Sequence, residues 1–263
     1  MTAHLTIAMV ACCAAALTLY SGFGLGTLLL PAFALFFPVE IAVFATAVVH
    51  GANNVFKVAL VGRFAHRDTV LRFGIPAVLA AIAGAWLLGR FAGLEPLAEY
   101  RLAGREAVVT PVNLVLGLLM LAFAVFELAP RLREFRFQKG HLVAGGLLSG
   151  FFGGLSGHQG ALRSAFLAKS LPDAPSFVGT SAVIGLLVDL VRLVTYTVLL
   201  LAAGMALTWP REAGSLVLTG CLAAFAGVLL GTRFLHQVTI GVVQAVTGVL
   251  LTLVALGLVT GLL

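Results

Sequence analysis

The chain has 263 residues, 61% of them hydrophobic and 10% charged, with a mean hydropathy of +1.12. A soluble domain carries about 25% charged residues and avoids large exposed apolar patches, so this composition excludes a water-soluble globular protein and makes lipid the solvent. The net charge of +6 does not point to nucleic acid, because the basic residues sit in short loops between apolar runs, as in the cytoplasmic loops of polytopic membrane proteins.

A membrane-spanning helix takes about 20 mostly apolar residues. Apolar segments are predicted at 4–20, 25–37, 39–61, 73–92 and 108–128, and, after a basic stretch, at 141–155, 160–171, 176–203, 213–233 and 238–261. The first has no basic residues ahead of it and reads as a retained helix, not a cleaved leader. Cys12 and Cys13 lie in it and Cys221 in the ninth. No CxxC or Cys/His metal spacing accompanies them, so packing and no metal site is expected.

The second segment is short and follows the break Ser21-Gly22-Phe23-Gly24-Leu25-Gly26. The third carries His50, Asn53, Asn54 and Lys57 at i, i+3, i+4 and i+7, one stripe of a helix. A charge at the centre of a spanning helix costs about 2.5–3.5 kcal/mol on insertion scales, so these four are candidates to line an anion site. Loop charges give the orientation. Residues 62–72 carry Arg63, His66, Arg67 and Arg72, and 130–141 carry Arg131, Arg133, Arg136, Lys139 and His141. Residues 93–107 balance Arg101 and Arg105 against Glu95, Glu99 and Glu106. The first two stretches are therefore expected in the cytoplasm and the third outside. Lys169 and the turn from Arg233 to His236 then fall inside, and Glu40 and Glu127, near segment ends, read as interfacial.

The second half opens with a longer break, Ser149 to Gly160, containing Gly157-His158-Gln159-Gly160. Arg163 follows in the first turn of a short segment. A helix N-terminus favours an anion, and a guanidinium adds planar donors suited to carboxylate, phosphate or sulfonate. His158 and Gln159 can donate from the same break. In the next segment Ser181, Gly185, Asp189, Arg192 and Tyr196 share a face. Asp189 and Arg192, at i and i+3, can pair. They form either a self-neutralising ion pair or a switchable one, in which the anion competes for Arg192 or Asp189 takes a proton.

The halves resemble one another. A shift of 134 aligns Gly26 with Gly160, Pro38 with Pro172, Thr46 with Thr180, Val49 with Val183 and Gly51 with Gly185. A shift of 143 aligns Ala83-Gly84 and Arg90-Phe91 with Ala226-Gly227 and Arg233-Phe234, and one of 131 aligns Asn113 with Gln244 and Gly117 with Gly248. Five crossings per half would give the halves opposite orientations. The expected fold is therefore an all-α polytopic membrane protein of two inverted repeats, 1–129 and 141–263, joined by a cytoplasmic basic loop at 130–140. Its short broken helices lie near the midplane, where secondary transporters bind substrate.

The glycine-rich break, the short segment with Pro31, and Pro38-Val39-Glu40-Ile41-Ala42 and Ala45-Thr46 leading to Asn53-Asn54 resemble the TauE/SafE family of sulfite exporter-like membrane proteins. Gly153-Gly154-Leu155-Ser156-Gly157 and Val178-Gly179-Thr180-Ser181 look like its repeated counterpart, and the resemblance covers nearly the whole chain. It implies export of sulfite, organosulfonates or related sulfur anions across a bacterial inner membrane. Two departures point to a subgroup with its own substrate: a first glycine cluster sparser than the family's, and His158-Gln159 and Arg163 within the second.

The function expected is a secondary carrier of a small anion. A channel is the alternative, told apart by saturation, counter-flow and proton dependence. An intramembrane enzyme is the weaker one, since the chain has no HExxH, GxSxG or paired catalytic aspartates. The substrate-binding candidates are Arg163, His158, Gln159, Asn53, Asn54, Arg192, His50, Lys57, Gly26 and Gly160, with Asp189 and Arg192 as coupling or ion pair. The expected partners are the anion, the bilayer and a coupled proton, with oligomerisation left open, and no cofactor, metal or nucleic acid.

Overall fold

A computed structural model describes residues 1–21, 24–102, 104–129, 137, 139–202, 211–234 and 240–263. Of the features predicted above, Gly22, Phe23, Arg131, Arg133, Arg136 and His236 lie outside these residues, as does most of the proposed basic loop. The fold is all-helical apart from one hairpin. The helices are α1 (Thr2–Ser21), α2 (Leu25–Ala34), α3 (Val39–Val61), α4 (Ile75–Ala92), α5 (Pro111–Leu128), α6 (Leu142–Ser156), α7 (Gly160–Leu167), α8 (Ala174–Ala202), α9 (Arg211–Phe234) and α10 (Ile240–Val259). Five stretches, Val39–Phe64, Arg67–Ala92, Pro111–Leu128, Ala174–Leu199 and Glu212–Gly231, are long and apolar enough to cross a membrane. The protein is thus a multi-pass membrane protein.

Local chemistry sets the boundaries. The Thr110 hydroxyl accepts from the Asn113 amide at 3.1 Å and Pro111 opens the first turn, a capped start that places α5 after residue 108. Helix α2 ends at Ala34 and α7 at Leu167, earlier than the apolar runs suggested, because Pro38 and Pro172 bias the residues before them away from helical backbone. Ahead of α4, a helical turn at Arg67–Thr69 passes into a π-helical turn at Val70–Gly74. Its wider ladder sits where Pro76 cannot donate to the carbonyl of Arg72.

Two features depart from expectation. The second break, read above as Ser149 to Gly160, is helical as far as Ser156, and the next helix opens at Gly160. Within 93–107, read above as a charged loop, Ala98–Leu102 (β1) pairs antiparallel with Arg105–Val109 (β2), placing Arg101 opposite Glu106. Glu127, at the end of α5 as its place in the sequence suggested, is buried within the protein: it lies against α10, its Cβ 3.3 Å from where Gly248 would carry one.

Packing between helices is reciprocal. Helix α1 lies on α9 and α4 on α6, while α3 lies on α8 and α5 on α10. The α4–α6 pair runs parallel at backbone contact. A Cβ on Gly146, Gly150 or Gly154 would fall 2.3, 2.0 and 2.0 Å from the carbonyl oxygens of Phe73, Ala77 and Ala81. In return, a Cβ on Gly84 would meet the Phe151 carbonyl at 2.1 Å. The α1–α9 pair is also parallel, with Gly220 near Ile7 and a Gly227 Cβ placed 2.2 Å from the Cys12 carbonyl. Gly84 and Gly227, aligned in sequence, thus occupy equivalent contacts. The α3–α8 pair is antiparallel, with Phe44 beside Tyr196 and Gly51 beside Asp189. The α5–α10 pair is antiparallel too, Gly117 meeting Val259 and Gly248 meeting Leu128.

Loops collect at two ends. At one, the His66 amide donates to the Thr180 hydroxyl at 2.8 Å, the Phe137 amide donates to the Ala165 carbonyl at 3.2 Å, and Phe137 stacks on Phe166 with ring centroids 3.9 Å apart. At the other end of α4, the hairpin clasps the end of α10. The Val108 amide donates to the Gly261 carbonyl at 2.9 Å, the Tyr100 hydroxyl to the Thr260 carbonyl at 2.6 Å, and the Asn113 side chain to the Leu263 carbonyl at 2.9 Å.

Candidate functional site

The longest buried polar network lies where α3 crosses α8, beside the break between α6 and α7. The crossing is close because glycine sits on both helices. A Cβ on Gly51 would lie 3.5 Å from that of Asp189, and one on Gly185 would come within 2.8 Å of Asn54 Nδ2 and 3.0 Å of Arg163 Nη1. The polar stripe of α3 therefore faces the charged stripe of α8 directly.

Asp189 is the hub. Its Oδ2 is 2.6 Å from His50 Nδ1 and accepts from Asn54 Nδ2 at 2.8 Å. Its Oδ1 accepts from Gln159 Nε2 at 3.1 Å and lies 3.0 Å from Arg192 Nη2. The Arg192 contact is an ion pair by distance, but Nη2 makes no hydrogen bond, so its N–H does not point at the oxygen. Asn54 Nδ2 also lies 3.1 Å from His50 Nδ1. Beside an ionised carboxylate Nδ1 carries the hydrogen, and the asparagine amide is then bonded to Asp189 alone.

The network continues through the break. Gln159 accepts from Arg163 Nη1 at 3.0 Å through Oε1, so one amide links Arg163 to Asp189. The Gln159 carbonyl accepts from the Ser149 hydroxyl at 2.9 Å, fixing the break to α6. Arg192 Nη1 donates to the Gly153 carbonyl at 3.2 Å and the Tyr196 hydroxyl donates to that of Gly154. Gly157, with φ 84°, closes α6 in the left-handed region, and a Cβ there would also fall 2.5 Å from Arg192 Nη1. Among the described residues that meet here, Lys57, Arg163 and Arg192 are basic and Asp189 is acidic, Lys57 lying within electrostatic reach of Arg163. No group of three or more metal-ligating side chains occurs among the described residues.

The structure thus brings together His50, Asn54, Gln159, Arg163, Asp189 and Arg192. It also brings the two breaks together: a Cβ on Gly26 would lie 3.1 Å from the Gly157 carbonyl and 3.6 Å from the His50 ring. Gly160 opens α7 and is buried. Asn53 and Lys57 are buried on the α3 stripe, and neither amide atom of Asn53 has a hydrogen-bond partner in the protein. His158 is in the break but turns from Asp189. Its ring stacks on Phe123, centroids 5.1 Å apart, and Nδ1 lies 2.9 Å from the Ser156 hydroxyl.

Ser149, Gly153 and Gly154, read in the sequence as part of the break and not as site residues, hold the cluster in place. Their signal was the small-residue spacing of α6, which marks where side chains of α8 reach backbone carbonyls. The aligned glycines Gly51 and Gly185 likewise mark the crossing that pairs His50 with Asp189. Donors outnumber acceptors among the network's free valences: Arg192 Nε and Nη2, both amide atoms of Asn53 and the Ser181 hydroxyl are buried without a hydrogen-bond partner in the protein. Buried donors in that state call for an acceptor.

A comparison with curated proteins finds no match. The family model described as Sulfite exporter TauE/SafE matches residues 7–258.

Proposed function

Because the chain belongs to the TauE/SafE sulfite exporter family, whose members are membrane transporters of sulfite or related anions, we propose that it is a secondary carrier. Its substrate is sulfite, an organosulfonate or a closely related small sulfur anion, moved outward across a bacterial inner membrane. The anion is held where the two breaks meet, between Arg163 and Arg192 on one side and the amide stripe of α3 on the other. The observation that carries this reading is the set of buried donors around Arg192 and Asn53 that the protein itself leaves unbonded, in a cluster richer in basic than acidic groups. An oxyanion supplies several acceptors and the missing charge.

The two halves act as inverted repeats, 1–129 and 141–263. The antiparallel crossings of α3 on α8 and α5 on α10, helices that correspond between the halves, support this relation. A site between such halves can open to either face by rocking one against the other. Carriage is favoured over a channel because the cluster is closed by direct side-chain bonds and not strung along an open file of groups.

A thermal-shift screen of purified protein against sulfite, sulfate, thiosulfate, sulfonates and carboxylates tests the reading. A bound ligand stabilises by mass action, about 2.7 kcal/mol at a hundredfold excess over Kd. The expected result is a selective rise in melting temperature with a sulfur oxyanion, lost in Arg163→Ala. Equal shifts with every anion, or none, would remove the site.

A further inference from the structure

For a proton that travels with the anion, the geometry separates two candidate sites. Asp189 is hemmed in by donors and positive charge. Oδ2 accepts from His50 and Asn54, and Oδ1 accepts from Gln159 with the Arg192 guanidinium 3.0 Å away. A proton on Oδ2 must displace a donor from a buried position, and one on Oδ1 would lie against a guanidinium. His50 is the reverse case. Its Nδ1–H is committed to Asp189, so in the neutral ring Nε2 is a lone-pair acceptor. That nitrogen lies 3.9 Å from where Gly26 would carry a Cβ. It therefore faces the junction at which Gly26 approaches the Gly157 carbonyl.

We infer that the proton accompanying the anion is held on His50 Nε2, with Asp189 a fixed counter-charge that orients the ring. The inference rests on the anion-carrier reading above and names the group that couples it. Hydrogen sulfite, which has the proton that an organosulfonate anion lacks, enters with its O–H directed at Nε2. The O–H bond breaks and an N–H bond forms, leaving an imidazolium between the Asp189 carboxylate and the deprotonated oxyanion. Release reverses the step, so one proton leaves with each anion.

The charged groups facing His50 are Asp189 and Arg192 of α8 and Arg163 of α7. Lys57 lies two turns along its own helix. Helix α2 has no titratable residue, α9 has its acidic and basic residues at its ends, and Glu127 is the titratable residue of α5, placed at the α10 contact. The arginines oppose a positive charge on His50 until an anion is present, which ties proton uptake to substrate.

Nitrogen-15 spectra of the histidine rings in the full chain, in lipid nanodiscs, test this without requiring transport. Replacing the other five histidines leaves the His50 signals. The expected result is a ring protonated at Nδ1 alone at alkaline pH, with Nε2 gaining a proton when sulfite is added. An Nε2–H tautomer overturns the proposal, as does a protonated-carboxyl infrared band that Asp189→Asn removes. In vesicles, sulfite efflux should carry protons in the wild type and lose them in His50→Gln; proton movement retained by that variant also overturns it. Wild-type vesicles that pass no sulfite would refute the carrier reading for that anion, while the ring spectra still decide the state of His50.

Discussion

At the scale of single residues, Asp189 is the most consequential group because three donors and the Arg192 guanidinium converge on its two oxygens. Removing it leaves Arg192 fully buried with no counter-charge, a change that costs about 3–5 kcal/mol when one partner of a buried pair is lost. Asp189→Ala is expected to lower the denaturation midpoint in detergent by that order, and Asp189→Asn by less, since an amide still accepts from His50 and Asn54. Arg163→Ala should behave differently. Arg163 is bonded to the hub through Gln159, at one remove from the Arg192–Asp189 pair, so the variant should insert and melt closer to the wild-type temperature than Asp189→Ala while losing anion flux in vesicles. Unchanged flux would take Arg163 out of the site. Periodicity and the cost of intramembrane charge sufficed to single out these side chains from sequence. They did not show which atoms bond, because His50 and Asp189 are 139 positions apart and their contact depends on how closely two helices cross. Nor did they show that His158, in the same break as Gln159, turns onto Phe123.

At the scale of elements, the glycines of α6 decide how near α4 can come. Gly150→Leu places a side chain where the Ala77 carbonyl stands 2.0 Å from an ideal Cβ. Overpacking of this kind costs typically 1–3 kcal/mol, and here it meets backbone, which cannot rotate away. Gly93→Ala, with no atom within 4 Å of its Cβ, is the matched control, and its melting temperature should be unchanged. The start of α8 gives a pH test outside the membrane. Asp173 accepts from the Ser176 amide at 2.8 Å, and this hydrogen bond holds its carboxyl below the usual carboxylate range. A group depressed on folding stabilises above its unfolded pKa and loses that contribution as pH falls through its folded one. Asp173→Ala should therefore destabilise at neutral pH, with the difference from wild type closing in acid. Ten apolar segments were legible and ten such helices form among the described residues. The hairpin was not: Ala98-Glu99-Tyr100-Arg101-Leu102 alternates with the period of a strand, but its charges balance so evenly that they read only as a loop.

At the scale of the molecule, the basic stretch 62–72 and residues 137 and 139–141 gather at one end and the hairpin at the other, as loop charge alone suggested. An impermeant thiol reagent applied to intact cells should label a cysteine placed at Tyr100 but not one at Arg67, in a chain whose three native cysteines are replaced; the opposite pattern would invert the proposed orientation. The ordered identities between the halves were also legible, and Gly84 and Gly227 occupy equivalent contacts. Which helix embraces which was not, since a linear alignment says nothing of partners. That pairing has a consequence for biogenesis. Helix α1 emerges long before α9, since its backbone partner Gly227 follows 215 residues after Cys12, so α1 waits in the bilayer, its glycine-facing seam bared to lipid, until α9 is made. Neither half completes its own interior. Fragments 1–129 and 141–263 expressed from separate messages should each be cleared by quality-control proteases and accumulate only when made together.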